Sequence, residues 1–190
     1  RRLSIIDVSC AGDQPMHTVD GRYTIAFNGE IFNFYQLQEH YLSKEEQLQL
    51  RSHSDTEIFL LLFQKLQEKT FELLQGFFAA AIYDHQEKKL VVVRDRYGKK
   101  PLLYFKDDDK LVFASEMKAL LAAEVPRELN WDILSVYFQL NYIPQPYSIL
   151  QGVRKLAPGH YLTITEDGIH EQRYYALNLK PADYHNYSYT

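Results

Sequence analysis

Asn28 and Gly29 sit inside the stretch Phe27-Asn28-Gly29-Glu30-Ile31-Phe32-Asn33 and carry the donors from which chemistry could be built. An asparagine side-chain amide offers N–H donors, and a glycine leaves its backbone N–H unshielded and free to turn toward a bound group. Two such donors side by side could hold the negative oxygen of a tetrahedral intermediate, the task of an oxyanion hole. The same dipeptide between apolar runs is also a strong signal for a tight hairpin turn, and both readings stand at this point. Other candidates carry less. Cys10 is the single cysteine and follows a strand-like run, where a lone thiol is more often an inert apolar group than a nucleophile. His53 and Asp55 form only a His-x-Asp pair, too little for a metal site, so no metal is expected.

The elements that must position Asn28 and Gly29 can be read from periodicity. Residues 22–27 alternate and are rich in β-formers, so a strand is expected to end at Asn28-Gly29; after Asn33 a helical spacing predicts a helix over 34–42. Residues 2–8 read as a strand followed by a loop through Gly12-Asp13-Gln14-Pro15, and 48–52 as a strand or edge segment. Ser54 with Glu57 three residues later is a capping-box signature for a helix over 54–68, in which Asp55 is a first-turn acid favourable to the helix dipole. A helical turn at 71–76 precedes two hairpins, 77–83 with 90–95 and 101–105 with 111–114. The acidic run Asp107-Asp108-Asp109 reads as a solvated turn, because the spacing of a calcium loop is absent. Arg94 to Lys100 lacks the spacing of a phosphate loop. Helices are expected over 115–121 and 130–140, the second capped by Asn130, and a last hairpin turns at Asp167-Gly168.

Composition narrows the class. With 190 residues, 46% of them hydrophobic, the chain can bury a sizeable core as one α+β domain. A net charge of -4 gives no general attraction to nucleic acid or anionic membrane. No apolar run approaches the roughly 20 residues of a membrane span. One cysteine agrees with a reducing, cytoplasmic setting.

Seven blocks in order, Arg2-Leu3-Ser4-Ile5-Ile6-Asp7, Gln14-Pro15-Met16, residues 27–33, Ser54-Asp55-Thr56-Glu57, Gly76-Phe77-Phe78-Ala79, residues 94–102 and Phe113-Ala114-Ser115-Glu116, resemble the glutaminase domain of glutamine-hydrolysing asparagine synthetases. These are class II glutamine amidotransferases with an N-terminal nucleophile. The resemblance covers about residues 1–175. It implies a four-layer αββα sandwich of two antiparallel sheets, truncated at its N-terminus, and hydrolysis of glutamine to glutamate and ammonia. It assigns Asn28 and Gly29 to the oxyanion hole, Arg2 to the glutamine α-carboxylate, and Asp55 with Glu30 to the α-ammonium. It implies no cofactor in this domain. ATP and Mg are expected in an absent synthetase domain, toward which residues 176–190 read as a linker, and a homodimer is compatible with the resemblance. The family's nucleophile is an N-terminal cysteine, and Arg1 begins this sequence. The expectation is therefore a catalytic domain whose cysteine lies on a missing leader, inactive as the 190-residue fragment. The alternative is a non-catalytic domain of the same fold that binds an amino acid or a partner protein.

Overall fold

A computed structural model describes residues 12–178; the expected strand at 2–8, Arg2, Cys10 and residues 179–190 of the expected linker lie outside the described residues. In chain order the elements are β1 (Met16–His17), β2 (Tyr23–Ile31), α1 (Phe34–Tyr41), α2 (Lys44–Leu48), α3 (Asp55–Leu66), a short 3-10 turn (Gln67–Lys69), α4 (Thr70–Leu73), β3 (Gly76–Asp84) and β4 (Lys89–Arg94). There follow β5 (Leu103–Lys106), β6 (Leu111–Ala114), α5 (Met117–Ala122), α6 (Trp131–Leu140), β7 (Val153–Lys155), β8 (His160–Thr165) and β9 (Gly168–Arg173). They form a six-stranded sheet in the order β1-β2-β3-β4-β8-β9 and a three-stranded sheet in the order β6-β5-β7, both antiparallel.

The alternation of side chains along β3 sets the layers. Phe78, Ala80 and Ile82 point to one face of the large sheet, where they meet Phe59, Phe63 and Phe71 beneath α1 and α3. Ala79 and Ala81 point to the other face, packing with Leu102, Leu156 and Leu162 between the two sheets. On the far side of the small sheet, Phe105 and Val153 pack with Leu120 of α5 and with Val125. The order is helices, sheet, sheet, helix, and the expected αββα sandwich is the observed one. The first of these layers is the most aromatic: Phe59 contacts Phe27, Phe71 and Phe78 edge-on, and burying each such ring stabilises by about 1.5–3 kcal/mol.

Three local expectations change. Asn28 and Gly29 do not end a strand or turn a hairpin: β2 runs on to Ile31, with Asn28 opposite Ala79 and Gly29 opposite Phe78. Residues 48–52 are not a strand. Ser43 and Glu46 form a capping box that starts α2, and the N–H groups of Arg51 and Ser52 donate to the Glu57 carboxylate (3.1 and 2.7 Å), so the segment folds back on α3. With Glu57 so engaged, the cap of α3 is the Ser54 hydroxyl alone, which accepts from the Thr56 N–H at 3.1 Å. By contrast α6 starts where expected, with Asn130 Oδ1 accepting from the Ile133 N–H. This helix is apolar on nearly all sides, yet Ile133 is its single buried residue; Trp131 is 68% exposed and Phe138 73%.

Candidate active site

The hydrogen-bond parity of β2 decides where Gly29 aims its amide. Even-numbered positions face β3: the Arg22 carbonyl accepts from the His85 N–H, and the Phe32 N–H donates to the Gln75 carbonyl. Odd-numbered positions face the other edge. There the Tyr23 carbonyl accepts from the Thr18 N–H, the Phe27 N–H donates to Gln14 Oε1 at 2.6 Å, and the Ile31 N–H donates to Asp55 Oδ2 at 2.9 Å. Gly29 lies midway between those two paired donors. Because β1 pairs only with Thr24 and Ile25, the Gly29 N–H has no acceptor among the described residues. Its cross-strand neighbour has the same parity: the Phe78 N–H donates to Asp95 Oδ2 and the Phe78 carbonyl accepts from the Asp95 N–H, both on the β4 side.

Glycine is required at 29 by close approach. A Cβ there would stand 2.2 Å from the Phe77 carbonyl oxygen and 2.6 Å from Phe78 Cα. Gly76 faces the same pinch from β3, where a Cβ would stand 2.1 Å from the Glu30 carbonyl oxygen. The two strands are drawn together at the place where the Gly29 amide is displayed.

Beside it, the exposed Asn28 side chain lies on the inter-sheet face and donates from Nδ2 to Ser115 Oγ at 2.9 Å. Ser115 follows β6 and is 87 residues away in sequence. Asn28, Ser115 and Gln14 line a cavity of about 200 Å³ whose floor is Ala79, Ala80 and Ala81 and whose wall is Leu102 and Phe113. Gln14 and Ser115 were not singled out from the sequence as site residues. Both sit in blocks that carry the family resemblance, which was the signal available for finding them.

Asp55 opens α3 and is 4% exposed, tied by Oδ2 to the Ile31 N–H. Burial pushes its pKa up; the N–H groups of Ile31 and Thr56 pull the other way, and the nearby Glu30 charge adds to the rise. A buried acid beside a second carboxylate is a place where a cation relieves repulsion. Of the five residues expected at the site, the structure brings Asn28, Gly29, Glu30 and Asp55 together on β2 and the start of α3. Arg2 lies outside the described residues.

The Arg94–Lys100 stretch is a closed corner. Arg94 donates to the carbonyls of Lys100, Leu156 and Gly98, and the Asp95 carboxylate, with Asp95 fully buried, accepts from the N–H groups of Phe78, Tyr97, Lys99 and Lys100. The Asp107 carboxylate likewise accepts from the N–H groups of Asp109 and Lys110, forming the expected polar turn. Among the described residues no group of three or more His, Cys, Asp or Glu is placed to hold a metal ion, and no helix is long and apolar enough to cross a membrane.

Known proteins resemble this chain along most of its length. The chain is 37% identical over 95% of its length to asparagine synthetase [glutamine-hydrolyzing] 1 of Bacillus subtilis strain 168. It is 33% identical over 92% of its length to the amidase chry2 of Gibberella zeae. It spans 28% of the first of these relatives and 25% of the second. In fold it matches the glutamine phosphoribosylpyrophosphate amidotransferase of B. subtilis, with a TM-score of 0.55 and 24% identity over 87% of this chain and 32% of that one. A family model described as a glutamine amidotransferase domain matches residues 1–175, so the chain belongs to the class II glutamine amidotransferases, in the branch of asparagine-synthetase-like proteins.

Proposed function

We propose that this domain hydrolyses glutamine and supplies ammonia to an amidation carried out elsewhere in a longer protein. The observation that carries the reading is the Gly29 N–H, without an acceptor among the described residues, held between two paired neighbours and adjacent to the Asn28 amide. Attack of a nucleophile on the glutamine side-chain amide turns its carbonyl oxygen into an oxyanion. Two donors already in place for that charge lower the barrier without reorganisation. Asp55 holds the α-ammonium with Glu30 adding negative potential, and Arg2 takes the α-carboxylate. The nucleophile is the thiol of an N-terminal cysteine, as the family resemblance implies, and its own α-amine serves as the base.

Residues 1–190 alone supply the pocket and the donors and turn over no glutamine. Hydrolysis in this domain needs no metal or cofactor. ATP and Mg belong to a synthetase domain, the partner that receives the ammonia, and the relatives' three- to fourfold greater length leaves room for one. The acceptor is aspartate or a related carboxylate, consistent with relatives named both as asparagine synthetases and as an amidase.

The test is ammonia release from glutamine by the full-length protein and by its Asn28→Ala variant. Asn28→Ala is expected to lower kcat by about 100- to 1000-fold with KM nearly unchanged. A full-length protein that binds glutamine without turnover would instead make this a binding domain. A 190-residue polypeptide whose turnover disappears on Cys10→Ala would place the nucleophile at Cys10.

A further inference from the structure

We infer that Ser115 is a positioning residue for the oxyanion site, restraining the Asn28 side chain and so the direction in which its amide N–H groups point; this rests on the reading of Asn28 given above. The terminal torsion of an asparagine is broad and nearly two-fold, so an unrestrained amide presents either end. The two ends are opposites for catalysis. Nitrogen offers donors to a developing negative charge, whereas Oδ1 in the same place repels it.

In this structure the Asn28 amide is held by one contact, Nδ2 to Ser115 Oγ at 2.9 Å. The two hydrogens of an amide nitrogen lie in a fixed plane, so engaging one sets the direction of the other. The Asn28 side chain is exposed, and no other side-chain bond to it is formed among the described residues. Its own strand therefore does not select the rotamer.

Ser115 is suited to hold a fixed position. It leaves β6, whose Ala114 pairs with Leu103, and stands one residue, Glu116, ahead of α5, which is anchored by the fully buried Leu120. The hydroxyl is thus carried by the small sheet and its helix, while the amide it holds is carried by the large sheet. Both line the same cavity beside Ala79 and Ala80. The site is assembled across the gap between the sheets, and Ser115 is the link that makes the donor's orientation depend on their register.

The experiment is steady-state glutaminase kinetics of the full-length protein with Ser115→Ala, Ser115→Thr, Asn28→Ala and the double variant Ser115→Ala/Asn28→Ala, each with its melting temperature. Ser115→Ala is expected to lower kcat about 3- to 10-fold, the effect of losing one hydrogen bond, with KM unchanged. Ser115→Thr, which keeps the hydroxyl, restores kcat. In the Asn28→Ala background Ser115→Ala does nothing further, because the amide it orients is gone. An unchanged kcat in Ser115→Ala, no rescue by threonine, or a full additional loss in the double variant each overturns the inference. An Asn28→Ala variant with normal kcat sinks the oxyanion reading itself. A disabled Asn28→Ala beside a fully active Ser115→Ala sinks only the role of Ser115.

Discussion

Phe78 has a polar feature on either side, and the two are built to opposite plans. On the β4 side stands the Arg94–Lys100 corner, where a fully buried acid and a buried arginine use their hydrogen-bonding capacity on backbone partners. On the β2 side stands the Asn28–Gly29 stretch, where, among the described residues, one backbone N–H is left without an acceptor and one amide is held from a single side. Phe78 commits both its backbone groups to Asp95, while Gly29, opposite it in a non-hydrogen-bonded pair, turns its N–H outward. Saturated polar groups stabilise the fold, and a donor kept unsatisfied at a cavity edge is available for a ligand. The sheet uses the first kind to hold the second in place.

The contrast breaks most sharply at Asp95. Asp95→Ala leaves four buried or partly buried N–H groups without their acceptor, and the expected loss is about 3–5 kcal/mol in urea unfolding. A loss under about 1 kcal/mol would mean that water or a shifted loop takes over those donors, and that the corner is not what fixes Phe78. Asn28→Ala is the complementary case, a loss of about 3–4 kcal/mol in transition-state stabilisation with the melting temperature little changed. A preserved rate with a lowered melting point would make Asn28 as structural as Asp95.

Gly29→Ala blurs the two classes. A methyl group aimed at the Phe77 carbonyl forces β2 and β3 apart, costing about 1–3 kcal/mol of stability and lowering kcat at the same time as the amide moves. A stability loss with full activity would detach the Gly29 amide from catalysis.

For Asp55 the effect falls on binding. Asp55→Asn keeps an oxygen for the Ile31 N–H but removes the charge, so KM for glutamine should rise by about tenfold or more while kcat stays within a few fold. In the unmutated protein a proton on Asp55 does the same. Burial raises its pKa, so KM is expected to climb as pH falls through that raised value. The linked stability has the opposite sense: the folded state holds this proton more tightly than the unfolded one. The contribution of Asp55 to stability is greatest in acid and is lost as pH rises through its folded value. A KM independent of pH below neutrality would remove Asp55 from the ammonium site. The smallest effect is Asn130→Ala, which removes the N-cap of α6 and should cost about 1 kcal/mol in stability with no change in kinetics.

Much of the scaffold was legible because its signals are local. Asn130 caps α6, Ser54 caps α3, and the alternation of β3 and β4 marks a central hairpin. The layer order follows from the resemblance and from the alanine and phenylalanine faces of β3. What could not be read is what depends on distant partners. Asn28-Gly29 carries the local signature of a turn, and pairing with residues about fifty positions on pulls it into a strand instead. Glycine there meets two demands at once, a positive backbone angle (φ +157°) and a carbonyl pressing from the next strand, and only the first belongs to the residue itself. Glu57 looked like half of a capping box until the N–H groups of Arg51 and Ser52 claimed it. Ser115 has no local mark at all, since its significance comes from a hydroxyl landing beside an amide 87 residues away.

The apolar surface of α6 has a consequence for how this polypeptide behaves as a solute. Over residues 131–150 the sole charged side chain is Asp132, while Trp131, Tyr137, Phe138, Leu140 and Tyr142 are all exposed. Net charge repels like molecules over a Debye length of about 8 Å at physiological ionic strength, and an uncharged aromatic patch attracts them at contact. For residues 1–190 in isolation, the second osmotic virial coefficient should therefore be positive in dilute salt and fall through zero as salt is added, since screening removes the repulsion and leaves the aromatic contact.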